Sequence, residues 1–309
     1  MNKVILYVGN FKKSWCTEVH IKQSFETLGY TVIPVQEDSI DTLLLALAIE
    51  EHRPGFLLYT KTWNNAIDWK LIKRKVFTVS WTLDLYHDIG RKTELDNNPF
   101  FHTHLVLSPD GGHDKEFKAH KINHRYLKPG VFDKECYLGK QIEEYTYDVI
   151  FVGSYLQYHQ EWTHRKDLID YLRWTYRNRF DFFPKQIPIR GDELNNLYAS
   201  AKIVIGDSLY SPHYWSDRVY ETIGRGGFMI HPKIEGLEEE FEYGKHLIGY
   251  NYYDFEGLKK KIDYYLKHTD EREEIRLAGH NMVKEKCTYV VRCKEALAII
   301  NEEIKLWKR

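Results

Sequence analysis

The feature that most constrains this chain is an alternation of short apolar runs with amphipathic segments, broken once and then begun again. Val4–Val8, Thr31–Val35, Phe56–Tyr59, Val76–Ser80 and Leu105–Ser108 read as strands. Between them, Thr17–Leu28 places Ile21, Phe25 and Leu28 on one helical face, with Gly29 as its stop. Ser39 is expected to cap a helix carrying Ile40, Leu43, Leu44 and Leu47, and Ala66–Arg74 reads as another helix. Pro129 and Gly130 interrupt the pattern, and a polar stretch follows. Strands then resume at Asp148–Gly153, Phe180–Phe183, Ile203–Gly206, Phe228–His231 and His246–Tyr250. Helices are expected at about 162–177, 193–200, 216–225, 255–267, 271–286 and 292–307. Strand–helix alternation at this spacing predicts βαβ units around a parallel sheet. Two such series predict an α/β chain of two Rossmann-like domains facing a cleft. The expected divisions are 1–135, a linker over 136–146, a second domain over 147–290, and a last helix over 291–309 that returns to the first domain.

Composition narrows the function classes. Charged residues are 29% of the chain with a formal net charge of -1, so no electrostatic partner is demanded and nucleic acid has no case from charge. No run approaches the roughly 20 apolar residues of a membrane span. Cys16, Cys136, Cys287 and Cys293 show no CxxC or zinc-type spacing. The expectation is a cytoplasmic protein with reduced thiols.

In open parallel sheets ligands bind beyond the carboxyl ends of the strands. Gly153 and Ser154 follow the first strand of the second series, where a backbone N–H and a hydroxyl suit a phosphate. Arg165, early on the next helix, could add a cation. In Ser216-Asp-Arg-Val-Tyr-Glu221, Arg218 and Glu221 stand three apart on one helical face. A guanidinium there suits a diphosphate, and a carboxylate one turn on can accept both hydroxyls of a ribose. In the first half, Asp84 is a candidate general base and His87 a second. Gly9 and Asn10, after the first strand, would admit an acceptor. Gly224, Gly226 and Gly227 close a helix instead of opening one, which argues against a dinucleotide site. The H-x-H of His102 and His104 lacks further ligands, and no Asp-x-Asp occurs, so neither a metal nor another cofactor is expected.

Three stretches carry a family resemblance: YDVIFVGSY with Arg165 downstream, ELNNLYASAKIVIGDS (Glu193–Ser208), and WSDRVYETIGRGGFMIHPKIEG within Trp215–Leu266. From Tyr147 to about Leu297 the chain resembles the donor domain of GT-B glycosyltransferases of the glycosyl transferases group 1 set, in its spore-maturation-like branch. His124–Phe132 resembles the strand leading into that family's linker. The resemblance implies a nucleotide diphosphate sugar donor, a UDP-sugar above all, whose ribose Glu221 would hold. Arg218 and Arg165 would neutralise its diphosphate, Gly153 and Ser154 would line it, and the loop Phe183–Ile189 would seat the base. Many relatives carry a glutamate seven residues before the ribose-binding one; Tyr214 stands there instead and would meet the donor sugar. The implied reaction is metal-independent transfer to an acceptor hydroxyl, with Asp84 as base if it inverts. A glycan, a protein, a metabolite and a hydroxylated DNA base all remain open as acceptor, and the oligomeric state is open too. A nucleotide-sugar epimerase and an inactive sugar-nucleotide-binding protein are the rival readings.

Overall fold

The computed structural model describes residues 2–60, 67–83, 95–155, 163–183 and 189–308. The chain forms two compact units. Unit 1 joins Met1–Pro129 to Tyr289–Arg309, and unit 2 is Gly130–Thr288.

Unit 1 is built on six parallel strands: β1 (Val4–Gly9), β2 (Thr31–Gln36), β3 (Phe56–Thr60), β4 (Thr78–Trp81), β5 (Leu105–Ser108) and β6 (His124–Tyr126). Their order is β2-β1-β3-β4-β5-β6. Strands covered on both faces read as continuous apolar runs, as β1, β3 and β5 do. Leu6, Val8, Leu57 and Tyr59 pack on one face with Leu45, Ile49, Trp69 and Ile72 from the helices α2 (Thr42–His52) and α3 (Trp69–Lys73). The helix α1 (Thr17–Thr27) lies beside the last helix, Tyr289–Trp307. Glu303 on that last helix binds Arg125 at 2.6 Å and Asn123 at 2.8 Å.

Two local expectations are corrected. Ser39 lies in a 3-10 turn, and Asp41 caps α2 instead, its Oδ1 accepting from the Leu44 N–H at 2.8 Å. Residues 130–146 belong to unit 2 and are fastened to it. The Val131 N–H donates to the Cys287 carbonyl, the Lys140 N–H to the Asn196 side chain and the Ile142 N–H to Ser200 Oγ.

Unit 2 carries five parallel strands: β7 (Val149–Val152), β8 (Phe180–Phe183), β9 (Ile203–Ile205), β10 (Met229–Pro232) and β11 (Ile248–Tyr250). The order is β11-β10-β9-β7-β8. One face buries Val149, Phe151, Ile203 and Ile230 against Leu168 and Leu172 of His164–Tyr176 and Leu258 and Ile262 of Phe255–Tyr265. In both sheets the first strand of the series has partners on either side that leave in opposite directions along the order. Ligands favour the carboxyl end of such a switch point.

Candidate functional site

In unit 2 the switch-point strand is β7, and Gly153 follows it. Its N–H donates to the Phe183 carbonyl at 2.8 Å, extending the sheet by one bond. That N–H is therefore spent inside the fold, which corrects the expectation that it would meet a phosphate. The glycine matters for the side chain it lacks. A Cβ there would lie 3.1 Å from Phe151 and 3.2 Å from both Cζ and Nη1 of Arg218. Gly153 thus makes room for a guanidinium at the strand's end, with half-buried Ser154 next in the chain.

Arg218 is delivered there by the loop between β9 and the short helix Arg218–Gly224. A buried hydrogen-bond series fixes that loop. His231 Nδ1 lies 2.7 Å from the Pro232 carbonyl, which can only accept, so Nδ1 carries the proton. Nε2 then accepts from Ser208 Oγ at 2.8 Å, and Ser208 Oγ accepts from the Ser216 N–H at 2.9 Å. Burial drives the His231 ring down to about 4, so it stays uncharged and keeps this bonding pattern. Ser216 Oγ is 3.4 Å from the Arg218 N–H, and the formal cap position, Asp217, makes no side-chain cap. With only seven residues, the helix offers little dipole; the anion-attracting group is the guanidinium itself. Arg218 is half-buried and forms no ion pair with any described residue.

Glu221, one turn further, is also half-buried. Burial pushes its carboxyl up, only partly offset by Arg225, whose Nε donates to Oε2 at 2.6 Å. Its other oxygen accepts no hydrogen bond from a described residue. Arg225 is nearly buried and donates further to Asn195 Oδ1 at 2.6 Å and to Glu135. Asn195 in turn donates to the carbonyls of Glu135 and Tyr137 at 2.8 and 2.9 Å. One edge of Glu221 is thereby locked from behind. Sequence reasoning missed Arg225 and Asn195; the i, i+4 spacing of Glu221 and Arg225 was the available signal.

Arg165 is the second residue of the helix His164–Tyr176. It is 1% exposed, its Nε 2.9 Å from Asp207 Oδ2, and its guanidinium lies over the Phe151 ring. His164 Nδ1 bonds the other Asp207 oxygen at 2.8 Å. Burial raises the Asp207 carboxyl, but the His164 bond and the Arg165 charge outweigh it and hold the group below its ordinary value. Arg165 thus serves Asp207 as an interior counter-charge. Tyr214 is buried, its N–H donating to the Ser211 carbonyl at 3.1 Å.

In unit 1 the corresponding strand end is Gly9. A Cβ there would strike Glu18 Cγ at 2.7 Å and Thr60 Oγ1 at 2.8 Å. Glu18, in the first turn of α1, accepts from Thr60 Oγ1 at 3.2 Å, and burial pushes its carboxyl up. It was missed because nothing local to α1 reveals the approach of Thr60. Asn10 folds back, its Oδ1 accepting from the Lys12 N–H at 3.2 Å. Asp84 and His87 lie outside the described residues, as do residues 184–188 of the expected base-seating loop. Among the described residues no three His, Cys, Asp or Glu side chains gather as metal ligands.

Two units of doubly wound parallel sheet in one chain have the architecture of the GT-B glycosyltransferases. A family model described as "Glycosyl transferase-like" matches residues 138–298, just over half of the 309, and the chain belongs to that family. Solved structures agree in fold. A glycosyltransferase from Rickettsia africae is 14% identical, with 98% of this chain and 99% of that chain covered at a TM-score of 0.67. Alr3699/HepE of Anabaena, in complex with UDP and glucose, is 14% identical over 97% and 99% at 0.65. Sucrose-phosphate synthase from Thermosynechococcus elongatus is 10% identical over 98% and 99% at 0.68. At these identities the likeness is one of fold. No curated protein matches the chain in sequence. No helix among the described residues is long and apolar enough to cross a membrane.

Proposed function

We propose that this glycosyltransferase takes its sugar from a UDP-sugar, held at the carboxyl end of the unit 2 sheet, and passes it to an acceptor hydroxyl without a metal. The observation that carries the reading is the Arg218 guanidinium, half-buried against Gly153 and without an ion pair among the described residues. Desolvated charge of that kind is costly unless an anion completes it. Arg218 would bind the diphosphate and neutralise the charge that grows on it as the sugar leaves. Ser154, next to Gly153, would donate to a phosphate oxygen. The Glu221 oxygen that Arg225 leaves open would accept from ribose, since an ionised carboxylate only accepts. Tyr214 would line the donor sugar from within the loop, and Asp84 would take the acceptor proton in an inverting displacement, with His87 as the second candidate for that role. UDP is favoured as the nucleotide because Alr3699/HepE binds UDP and glucose on a similar fold. The cytoplasm suits the four free cysteines.

Calorimetric titration with UDP and UDP-glucose, in buffer containing EDTA, tests the donor half. Tight UDP binding that Arg218→Ala weakens without lowering the melting temperature is the expected result. UDP bound equally well by that variant would refute the assignment. Loss of transfer, but not of UDP binding, in Asp84→Asn tests the base.

A further inference from the structure

We infer that His213 reads the transferred sugar, its imidazole hydrogen-bonding that sugar's hydroxyls at the carboxyl end of the unit 2 sheet. The inference rests on the UDP-sugar reading above and adds to it the group that selects the sugar. Five described residues other than glycine adopt a positive φ: Arg53, Lys121, Arg177, His213 and Tyr253. A left-handed residue commonly ends a helix. Arg53, Lys121 and Arg177 stand at or just after the ends of Thr42–His52, Asp114–Ala119 and His164–Tyr176. Tyr253 directly precedes Asp254, which caps Phe255–Tyr265. His213, at φ 55°, is the one of the five that no helix end explains.

It is the third residue of a turn, Ser211-Pro212-His213-Tyr214, closed by the Tyr214 N–H donating to the Ser211 carbonyl at 3.1 Å. Proline suits the second place of such a turn, and a positive φ at the third favours glycine or asparagine. Histidine there carries a backbone cost that persists only where the surroundings hold it, and such residues gather at functional sites. Here the surroundings do hold it. The His213 N–H donates to the Glu235 carbonyl at 2.8 Å, pinning the turn to the loop after β10. Gly236 clears room for the ring: a Cβ there would strike Nδ1 and lie 2.7 Å from Cε1 and 2.9 Å from Cγ. Ser211 and Tyr214 are buried, and the imidazole is the polar side chain that this turn leaves half-exposed.

The place and the chemistry suit a sugar. Gly153 and the Arg218 guanidinium mark the carboxyl end of β7; Gly236 and the His213 ring lie past the end of β10, with β9 between the two strands. Strands two apart in a sheet are separated by about 10 Å, the scale of a diphosphate and the sugar it carries. His213 and Arg218 also belong to one loop, the stretch from β9 to Arg218–Gly224 that the His231 and Ser208 bonds fix. The imidazole Nδ1 is 4.0 Å from Glu239 Oε2, and the ring forms no hydrogen bond with a described residue. In a neutral imidazole one nitrogen donates and the other accepts, which matches a sugar hydroxyl that does both.

Calorimetric titration with UDP, UDP-glucose, UDP-galactose and UDP-N-acetylglucosamine tests the inference. His213→Gly removes the ring and suits the left-handed backbone, so the melting temperature should hold. The expected result is unchanged UDP affinity, with the affinity for the best-bound UDP-sugar lowered roughly three- to tenfold, the worth of one hydrogen bond. His213→Asn tolerates the same backbone and keeps a donor and an acceptor, and should restore part of that loss. Gly236→Ala should lower UDP-sugar affinity relative to UDP with the imidazole present but displaced. UDP and UDP-sugars weakened alike by His213→Gly, or neither weakened, would overturn the inference and leave the UDP assignment standing. A parent chain that binds no UDP would overturn the donor reading and this inference together.

Discussion

The carboxyl ends of the two sheets share a geometry and differ in chemistry. Each has a glycine at the end of its switch-point strand, Gly9 closing β1 and Gly153 following β7. Each glycine yields space to a side chain from elsewhere. At Gly9 the incoming groups are the stem of the Glu18 side chain and the Thr60 hydroxyl; at Gly153 it is the Arg218 guanidinium. One end presents oxygen acceptors and the other a cation. The winding sets where a site can be, and the residue that fills the glycine's gap sets what it can hold.

The largest expected effect comes from removing what stands behind the cationic end. Arg225→Ala leaves Glu221 and Glu135 facing a vacated, buried position. Breaking a buried ion pair costs about 3–5 kcal/mol, so calorimetry should show the unit 2 transition lowered by roughly 10 °C. A transition lowered by a degree or two would mean that the Arg225 array is dispensable. Next comes acidification. His231 is uncharged when folded, and unfolding returns it to an ordinary value of about 6.5. Between pH 6.5 and about 4 the unfolded chain binds the extra proton, so stability falls as pH falls through that window. The loss should approach about 3 kcal/mol, and His231→Gln should flatten that limb of a denaturation series. Asp207 adds a separate slope of opposite origin. Its carboxyl is held low in the fold, so its stabilisation exists above the ordinary aspartate range and is lost below it.

Smaller effects bear on ligand binding. Arg218→Ala should weaken UDP binding by roughly 10- to 100-fold, the worth of a hydrogen bond to a charged group, with no thermal shift. The mildest test sets the two glycines against each other. Gly153→Ala should displace the guanidinium and weaken UDP binding about tenfold. Gly9→Ala should spare UDP binding and lower stability by about 1–3 kcal/mol through overpacking. If both substitutions weakened UDP binding alike, the contrast between the two ends would fail.

Much of the architecture was legible because it rests on local pattern. Phe180–Phe183 and Leu105–Ser108 are strands with the bounds their apolar runs suggest. Arg218 and Glu221 were legible as a pair because three-residue spacing on a helix is itself geometry. What escaped depends on partners distant in sequence. Arg165 and Asp207 are 42 residues apart, and nothing beside Arg165 announces that a carboxylate waits in the core. The Gly153 N–H looked available because its acceptor, Phe183, belongs to the next strand. Asp41 took over from Ser39 through a difference of two residues in where the helix begins, which propensity alone does not resolve.

Unit 1 is assembled from two separate stretches of the polypeptide, and unit 2 from a single uninterrupted stretch. A ribosome making this chain releases all of unit 2 before the helix that completes unit 1 exists. Until then Phe77 and His104 lack Trp307, and Arg125 lacks Glu303. Domains complete themselves in the order their residues emerge. Unit 1, begun before unit 2, is thus finished after it, and removing Glu303–Trp307 should destabilise unit 1 more than unit 2.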